Sequence, residues 1–357
     1  MGDILGVGLS HFPGFVHGDE EMSMRLKQVI SSPKVPPELK DPANWPEQMR
    51  REWADDQATA HAAEHRKRFV DGVRKIRQAI DDFRPDAVVI FGDDQYENLR
   101  EDLIPPLCIY ILPEFDLRPF QAWLRAGEFQ PNVWGEPRDV VFHYNGQPEI
   151  ARFLAKAALE AEFDMSYAYT LRNPDTEGLG HAFNFTTVFL DWDRKGWEWP
   201  IVPVAINAYG SGIIRNRGLV GHLFDNADAG FDPPAPSPKR CFDLGAALAR
   251  ALKASPWRTV LVGTSSWSHA FLTEKTHYVY PDVESDRRRF EDLRSGNYLA
   301  LRKLTIAELE DAGEHELLNW MPLIGAMHEL GQKPSFCDFL ETYTLNSCKV
   351  NAIFPPN

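Results

Sequence analysis

The chain has 357 residues, 43% hydrophobic and 25% charged, the balance of a globular protein with a sizeable core. Its formal net charge of -14 repels phosphate backbones and anionic lipid, which argues against nucleic acid and membrane partners. The four cysteines, Cys108, Cys241, Cys337 and Cys348, form no CxxC pair, which argues against a zinc ribbon and for free thiols.

The N-terminal stretch lacks the charged and apolar regions of a signal peptide, and no run reaches the roughly 18 apolar residues of a membrane span. A cytoplasmic protein is the expectation. Residues 4–9 read as a short apolar strand that delivers Ser10, His11, Phe12, Pro13 and Gly14, with His17 six residues further on. Residues 31–48 carry five prolines and read as an irregular excursion or a lid. From 47 to 83 the pattern is helical, with Phe69, Val73, Ile76 and Ile80 as the apolar stripe. His61 and His65 share one face of that helix; without the glutamate position of a zinc-binding HExxH they read as a polar face.

Residues 87–91 form the next buried strand, which ends in Gly92, Asp93, Asp94, Gln95, Tyr96, Glu97 and Asn98. A strand is expected within 103–111, mixed structure over 113–148 and a helix over 148–162. A glycine-flanked loop, 175–181, presents His181, and a strand over 199–207 ends at Asn207. A loop rich in Asp, Gly and Pro spans 227–238, and a helix comes next over 240–253. The strand 259–262 then runs into Gly263, Thr264, Ser265, Ser266, Trp267, Ser268 and His269. A charged helix starts near Glu284, with Phe290, Leu293 and Leu299 on its buried side, and two more helices fall within 304–330. Strands alternating with helices predict an α/β fold, a single domain over 1–357 with a central mixed β-sheet flanked by helices.

Polar residues thus gather in loops after apolar strands: His11, Asp94, Gln95, His181, His269 and, at a helix start, Glu284. Open α/β sheets place their ligand crevices at such strand ends. Histidine with carboxylate on a rigid frame is the donor set of a non-haem iron(II) site, and a further histidine can act as acid or base near neutral pH.

Ser10-His11-Phe12-Pro13 resembles the opening metal-ligand motif of the class III extradiol ring-cleavage dioxygenases, the relatives of the protocatechuate 4,5-dioxygenase β subunit (LigB-like) and of 2,3-dihydroxyphenylpropionate dioxygenase. The stretch 263–269 is similar to that family's acid/base histidine motif. The stretch 94–109, Gly180-His181, the stretch 238–245 and the stretch 346–353 are further matches in the family's order. Residues 18–70 look like an added Pro-rich and helical segment. The resemblance implies a LigB-like fold and cleavage of a catecholic ring by O2 at Fe(II). It makes His11 and Glu284 metal ligands, His269 the acid/base and His181 a second active-site histidine. It also implies a homo-oligomer. Phe12, Tyr96, Trp267 and Asn207 are the candidate substrate contacts, and the aromatic ones suit a planar aromatic substrate.

Gln95 stands where the family has its second metal-binding histidine. Three readings stay open: Gln95 as an amide ligand, replacement by His17, His61, His65 or Glu97, or a site with another divalent metal or none. The last would leave the same fold doing hydrolase or lyase chemistry on an aromatic compound, or acting as a non-catalytic aromatic-binding subunit.

Overall fold

Of the chain, a computed structural model describes residues 2–121, 131–175, 178–210 and 233–356. The elements, in order, are β1 (Asp3–Leu9), α1 (Met24–Ser31), α2 (Pro37–Lys40), α3 (Glu47–Trp53) and α4 (Thr59–Phe83). Then come β2 (Ala87–Asp93), β3 (Leu107–Tyr110), β4 (Glu114–Leu117), β5 (Phe142–Asn145), α5 (Pro148–Glu160), β6 (Ser166–Ala168) and α6 (His181–Leu190). Next in the chain are β7 (Ile201–Ile206), α7 (Pro238–Lys253), β8 (Arg258–Thr264), α8 (Val283–Ser295) and α9 (Tyr298–Arg302). α10 (Ile306–Ala312), α11 (Met321–Glu329), β9 (Phe336–Leu340) and β10 (Lys349–Phe354) complete the described chain.

The apolar runs form the middle of an eight-stranded sheet of order β6-β3-β7-β2-β8-β1-β10-β9. β7, β2, β8 and β1 are mutually parallel, and antiparallel pairs at β3–β7 and β1–β10 make the sheet mixed. Every residue of β2 and β7 is buried, as expected of strands covered on both faces. Alternation then splits the core into two layers. Val88, Ile90, Val260 and Val262 face one, with α4 and α6; Val89, Phe91 and Leu261 face the other, with α7 and α11. Local signals set several helix ends: Pro148 and Pro238 in first turns, the Thr305–Glu308 capping box, and left-handed Gly296 and Gly313 at C-caps. No helix among the described residues is long and apolar enough to cross a membrane.

Some expectations change. The helix over 47–83 is two helices, because Ala54, Gln57 and Ala58 take positive φ between α3 and α4. The break lets Glu52 accept hydrogen bonds from the backbone of Tyr343 and Thr344. His65 is no part of a polar face; it is buried and its ring lies parallel to Phe15 at 6.0 Å. The proline-rich stretch is packed through Val35 and Trp45. Leu299 is exposed, and β4 and β5 form a separate two-stranded sheet within the stretch read as mixed. Of the loop 227–238, residues 227–232 lie outside the described residues, as do Thr176 and Glu177 of the loop before His181.

Candidate metal centre

The four parallel strands deliver their carboxyl ends to one place. β1 leads into His11, β2 ends on Asp93 and leads into Gln95, β7 leads into Asn207 and Tyr209, and β8 leads into the 265–269 loop. His181 opens α6, and Glu316 comes from a 3-10 turn, His315–Asn319, ahead of α11. Among the described residues, His11, Asp93, His181 and Glu316 form a cluster whose nearest ligand atoms all lie within 4.8 Å of one another.

The hydrogen bonds around this cluster determine where its lone pairs point. Thr186 Oγ1 donates to the Ala182 carbonyl at 2.6 Å, so the 2.6 Å contact between Thr186 and Thr264 must have Thr264 as donor. Thr264 Oγ1 is then the acceptor for His11 Nδ1–H at 3.3 Å, which leaves the lone pair of His11 on Nε2. That nitrogen is 3.4 Å from Glu316 Oε2 and 3.8 Å from Asp93 Oδ1. His181 is ordered the same way. One oxygen of Glu97 accepts from both its backbone N–H, at 3.1 Å, and its Nδ1, at 2.8 Å, so Nε2 faces Asp93. Carboxylate-oriented imidazoles of this kind are typical of metal ligands.

The carboxylates are held by donors on their outer sides. Asn319 Nδ2 donates to Asp93 Oδ1 at 2.8 Å, and Gln95 Nε2 donates to Asp93 Oδ2 and to Glu316 Oε1, both at 3.1 Å. The Tyr209 hydroxyl donates to Glu316 Oε1 at 2.5 Å. Glu316 Oε2 is buried and accepts no hydrogen bond. An orphaned carboxylate oxygen facing imidazole lone pairs is the complement of a cation. Burial raises the pKa of Asp93, and the neighbouring Glu316 adds to the rise. Burial would also raise Glu316, but His269, His11 and His181, when they carry a proton, outweigh it and hold the carboxyl below its usual range. Burial opposes charge on His181, yet Glu97, Asp93 and Glu316 together raise its pKa to about 10, so without an ion its Nε2 carries a proton that a bound metal would displace. Two histidines and two carboxylates, convergent and buried but for part of His181, thus fit a divalent metal such as iron(II).

His269 stands beside this set. Its Nδ1 donates to the Trp267 carbonyl at 2.9 Å, which leaves the Nε2 lone pair 3.6 Å from Glu316 Oε2. Burial lowers its pKa, so the ring is neutral near pH 7. The loop that carries it is pinned: Ser268 N donates to Asp286, Ser265 Oγ to the Glu316 carbonyl, and His269 N to the Gly313 carbonyl. Trp320 donates to the Ser265 carbonyl and lies so close over Gly8 that a Cβ there would collide with its ring.

Two expected ligands fall outside the cluster. Glu284 is exposed on the first turn of α8 and pairs with Arg287. Asp286, two residues on and so on the opposite side of the helix, is the one that turns inward to Ser268. The carboxylate comes instead from Glu316, which sequence reasoning missed. Its one signal was an acid beside His315 at the head of an apolar run, Leu317 to Met327. Gln95 offers no ligand oxygen; its amide is a donor to both carboxylates. The reading that its replacement of histidine dismantles the site is overturned, because two histidines and two carboxylates still converge. Its substitutes do not serve either: His61 and His65 lie by Glu52 on another part of α4, His17 lies by Arg66, and Glu97 orients His181 from behind.

Among the expected substrate contacts, Phe12 packs edge-on to Phe15 under the Lys349 ammonium, and Asn207 is buried beside Pro106. Tyr96 directs its hydroxyl to Glu101, and Trp267 is packed in the core against Trp320.

The chain belongs to a known family. The model for the catalytic LigB subunit of aromatic ring-opening dioxygenase matches residues 54–186 and 231–350. Among individual proteins, it is 25% identical over 193 residues to a 2,3-dihydroxyphenylpropionate/2,3-dihydroxicinnamic acid 1,2-dioxygenase of Paraburkholderia xenovorans, covering 54% of this chain and 46% of that one. It is 25% identical over 198 residues to the gallate dioxygenase of Pseudomonas putida, covering 54% of this chain and 49% of that one. The chain thus matches about half the length of these relatives. A Burkholderia vietnamiensis protein of the first kind matches over 290 residues at 25% identity, 74% of this chain and 83% of that one.

Proposed function

We propose that this protein is a non-haem iron(II)-dependent extradiol-type dioxygenase that opens a dihydroxylated aromatic ring with O2. The observation that carries the proposal is the buried, unpartnered Oε2 of Glu316, with the Nε2 lone pairs of His11 and His269 directed at it. Family membership and relatives named for ring-opening dioxygenation support it.

His11 Nε2, His181 Nε2, Asp93 and Glu316 would hold the ion. When bound, iron(II) supplies the one-electron chemistry that lets electrons pass from a catecholic substrate to O2. The protein supplies orientation and proton transfer. His269 is neutral, its tautomer is fixed by the Trp267 carbonyl, and its Nε2 faces the cluster. It is therefore placed to take a hydroxyl proton from the substrate and return it as the ring opens. Thr264 and Glu97 hold the two ligand histidines in the tautomer that binds, and Gln95, Asn319 and Tyr209 hold the carboxylates.

Oxygen uptake by iron-loaded protein with a panel of catechols tests the reading. Uptake should match substrate consumed. His269→Ala should keep its iron and lose about 10²- to 10⁴-fold in kcat, the usual contribution of a positioned base. Iron-loaded protein that consumes no oxygen with any catechol would overturn the proposal.

A further inference from the structure

Among the described residues, Arg25, on α1, is a half-buried cation without an anion. Its Nε is sealed from solvent and has no hydrogen-bond partner. Burial lowers its pKa, and no neighbouring charge offsets the loss. Other half-buried arginines differ: Arg66 pairs with Asp19, Arg77 with Asp191, Arg194 with Glu136 and Arg289 with Glu314. A chain with 52 acids and 38 Lys and Arg has no shortage of carboxylates. Taking part of a guanidinium out of water with no charge to neutralise it is unfavourable, so an arginine whose Nε is sealed in that state fits a ligand that brings the charge.

Its position says which ligand. The guanidinium carbon lies 5.6 Å from the centre of the Phe271 ring, and that ring lies 5.0 Å from the ring of His269. Two ring contacts therefore lead from the base to the cation. An aromatic molecule with hydroxyls near His269 and its ring along Phe271 would extend an acidic substituent towards Arg25. The planar fork of a guanidinium suits a carboxylate, which it can hold by two parallel hydrogen bonds.

We propose that Arg25 is an anion subsite that recognises a carboxylate arm on the aromatic substrate. The placement of the hydroxyl end rests on the dioxygenase reading; the subsite itself does not require turnover. Arg25 and the segment 18–70 that carries it would then select acidic catechols over neutral ones.

The test is calorimetric titration of iron-loaded protein under nitrogen with dihydroxyphenylacetate and dihydroxyphenylpropanoate, each against its own primary amide. Wild type should bind the better acid about 10- to 100-fold more tightly than its amide, the range for hydrogen bonds to a charged group. In Arg25→Gln the gap should close while the amide's Kd stays where it was. Equal binding of acid and amide by the wild type overturns the proposal, as does no measurable binding of either acid. Neither outcome depends on how well the variant folds. A gap that survives in a folded Arg25→Gln overturns it as well. Oxygen uptake is read separately: an acid–amide gap that Arg25→Gln abolishes, without uptake, supports the subsite and removes only the ring-opening reading.

Discussion

The surroundings of Glu316 and of Glu52 look alike in composition. Each is a buried glutamate with histidines nearby, 2% and 4% exposed. Their polar atoms are arranged in opposite ways. Glu52 Oε2 accepts from Tyr343 N at 2.7 Å, Thr342 Oγ1 at 3.0 Å, and Thr344 N and Oγ1 at 3.1 Å. Thr342 gives its proton to Glu52, so His61 Nε2, 3.0 Å from Thr342 Oγ1, must be a donor and has no lone pair to offer there. Lys349 spends its ammonium on the carbonyls of Leu345 and Ser347 and lies 4.0 Å over Phe12. Around Glu316 the donors come from outside, and Nε2 lone pairs and one empty carboxylate oxygen are left inside. A metal centre is distinguished from a structural network by the direction of its lone pairs, not by its inventory of residues.

Substitutions can break that contrast. Glu52→Ala strands two backbone N–H groups and two hydroxyls in the interior, and should cost about 3 kcal/mol or more in urea denaturation. Its iron content should match wild type; iron loss at unchanged stability would reverse the two roles.

Lys349 sharpens the same point through pH. Burial holds its pKa down to about 7, against an ordinary 10.5, and Cys348, Glu52 and Asp286 restore only part. Between those values the unfolded chain binds the proton and the folded chain does not, so this group makes stability rise with pH. The full penalty is present below about pH 7. From there to about pH 9 wild type should gain stability relative to Lys349→Met by at most about 1.4 kcal/mol per pH unit. Parallel stability curves for the two proteins would show that the ammonium is not strained.

Gln95→Leu removes the donor shared by both carboxylates while leaving the four ligands. Iron affinity, from competition with a chelator, should fall about 10- to 100-fold, the usual loss for an outer partner of a metal ligand. Unchanged affinity would mean that the amide positions nothing. The smallest effect is expected at Glu284. Its ion pair with Arg287 is exposed, and Arg287 also holds Glu341, so Glu284→Ala should change stability by no more than about 0.5 kcal/mol. A larger thermal shift would show that the pair is structural.

The strand framework and half of the centre were legible in the sequence, and the reason is physical. β1, β2 and β8 are buried on both faces, so they appear as apolar runs, and the residues just beyond their last turn of pleat must lie at the carboxyl edge of the sheet. His11, His269 and the Asp93–Gln95 turn were found that way. Glu316 was not, because it is carried by a 3-10 turn between helices and reaches the cluster only through tertiary packing, with Trp320 seated over Gly8 and against Trp267. Glu284 was chosen because it falls where the resembled family has its glutamate ligand, and a shift of two residues along a helix reverses the side that faces the site. Gln95 was expected either as a ligand itself or as the loss of one, and it is neither: sequence does not say which end of an amide faces its neighbours, and two adjacent carboxylates require the N–H end.

The measurement that bears most directly on the centre is iron content per chain after purification without oxygen, for wild type, Glu316→Ala and Glu284→Ala side by side. Wild type and Glu284→Ala should each hold about one iron, and Glu316→Ala should hold almost none while keeping its fold. Iron retained in Glu316→Ala but lost from Glu284→Ala would contradict the assignment of the ligands and, with it, the proposed centre.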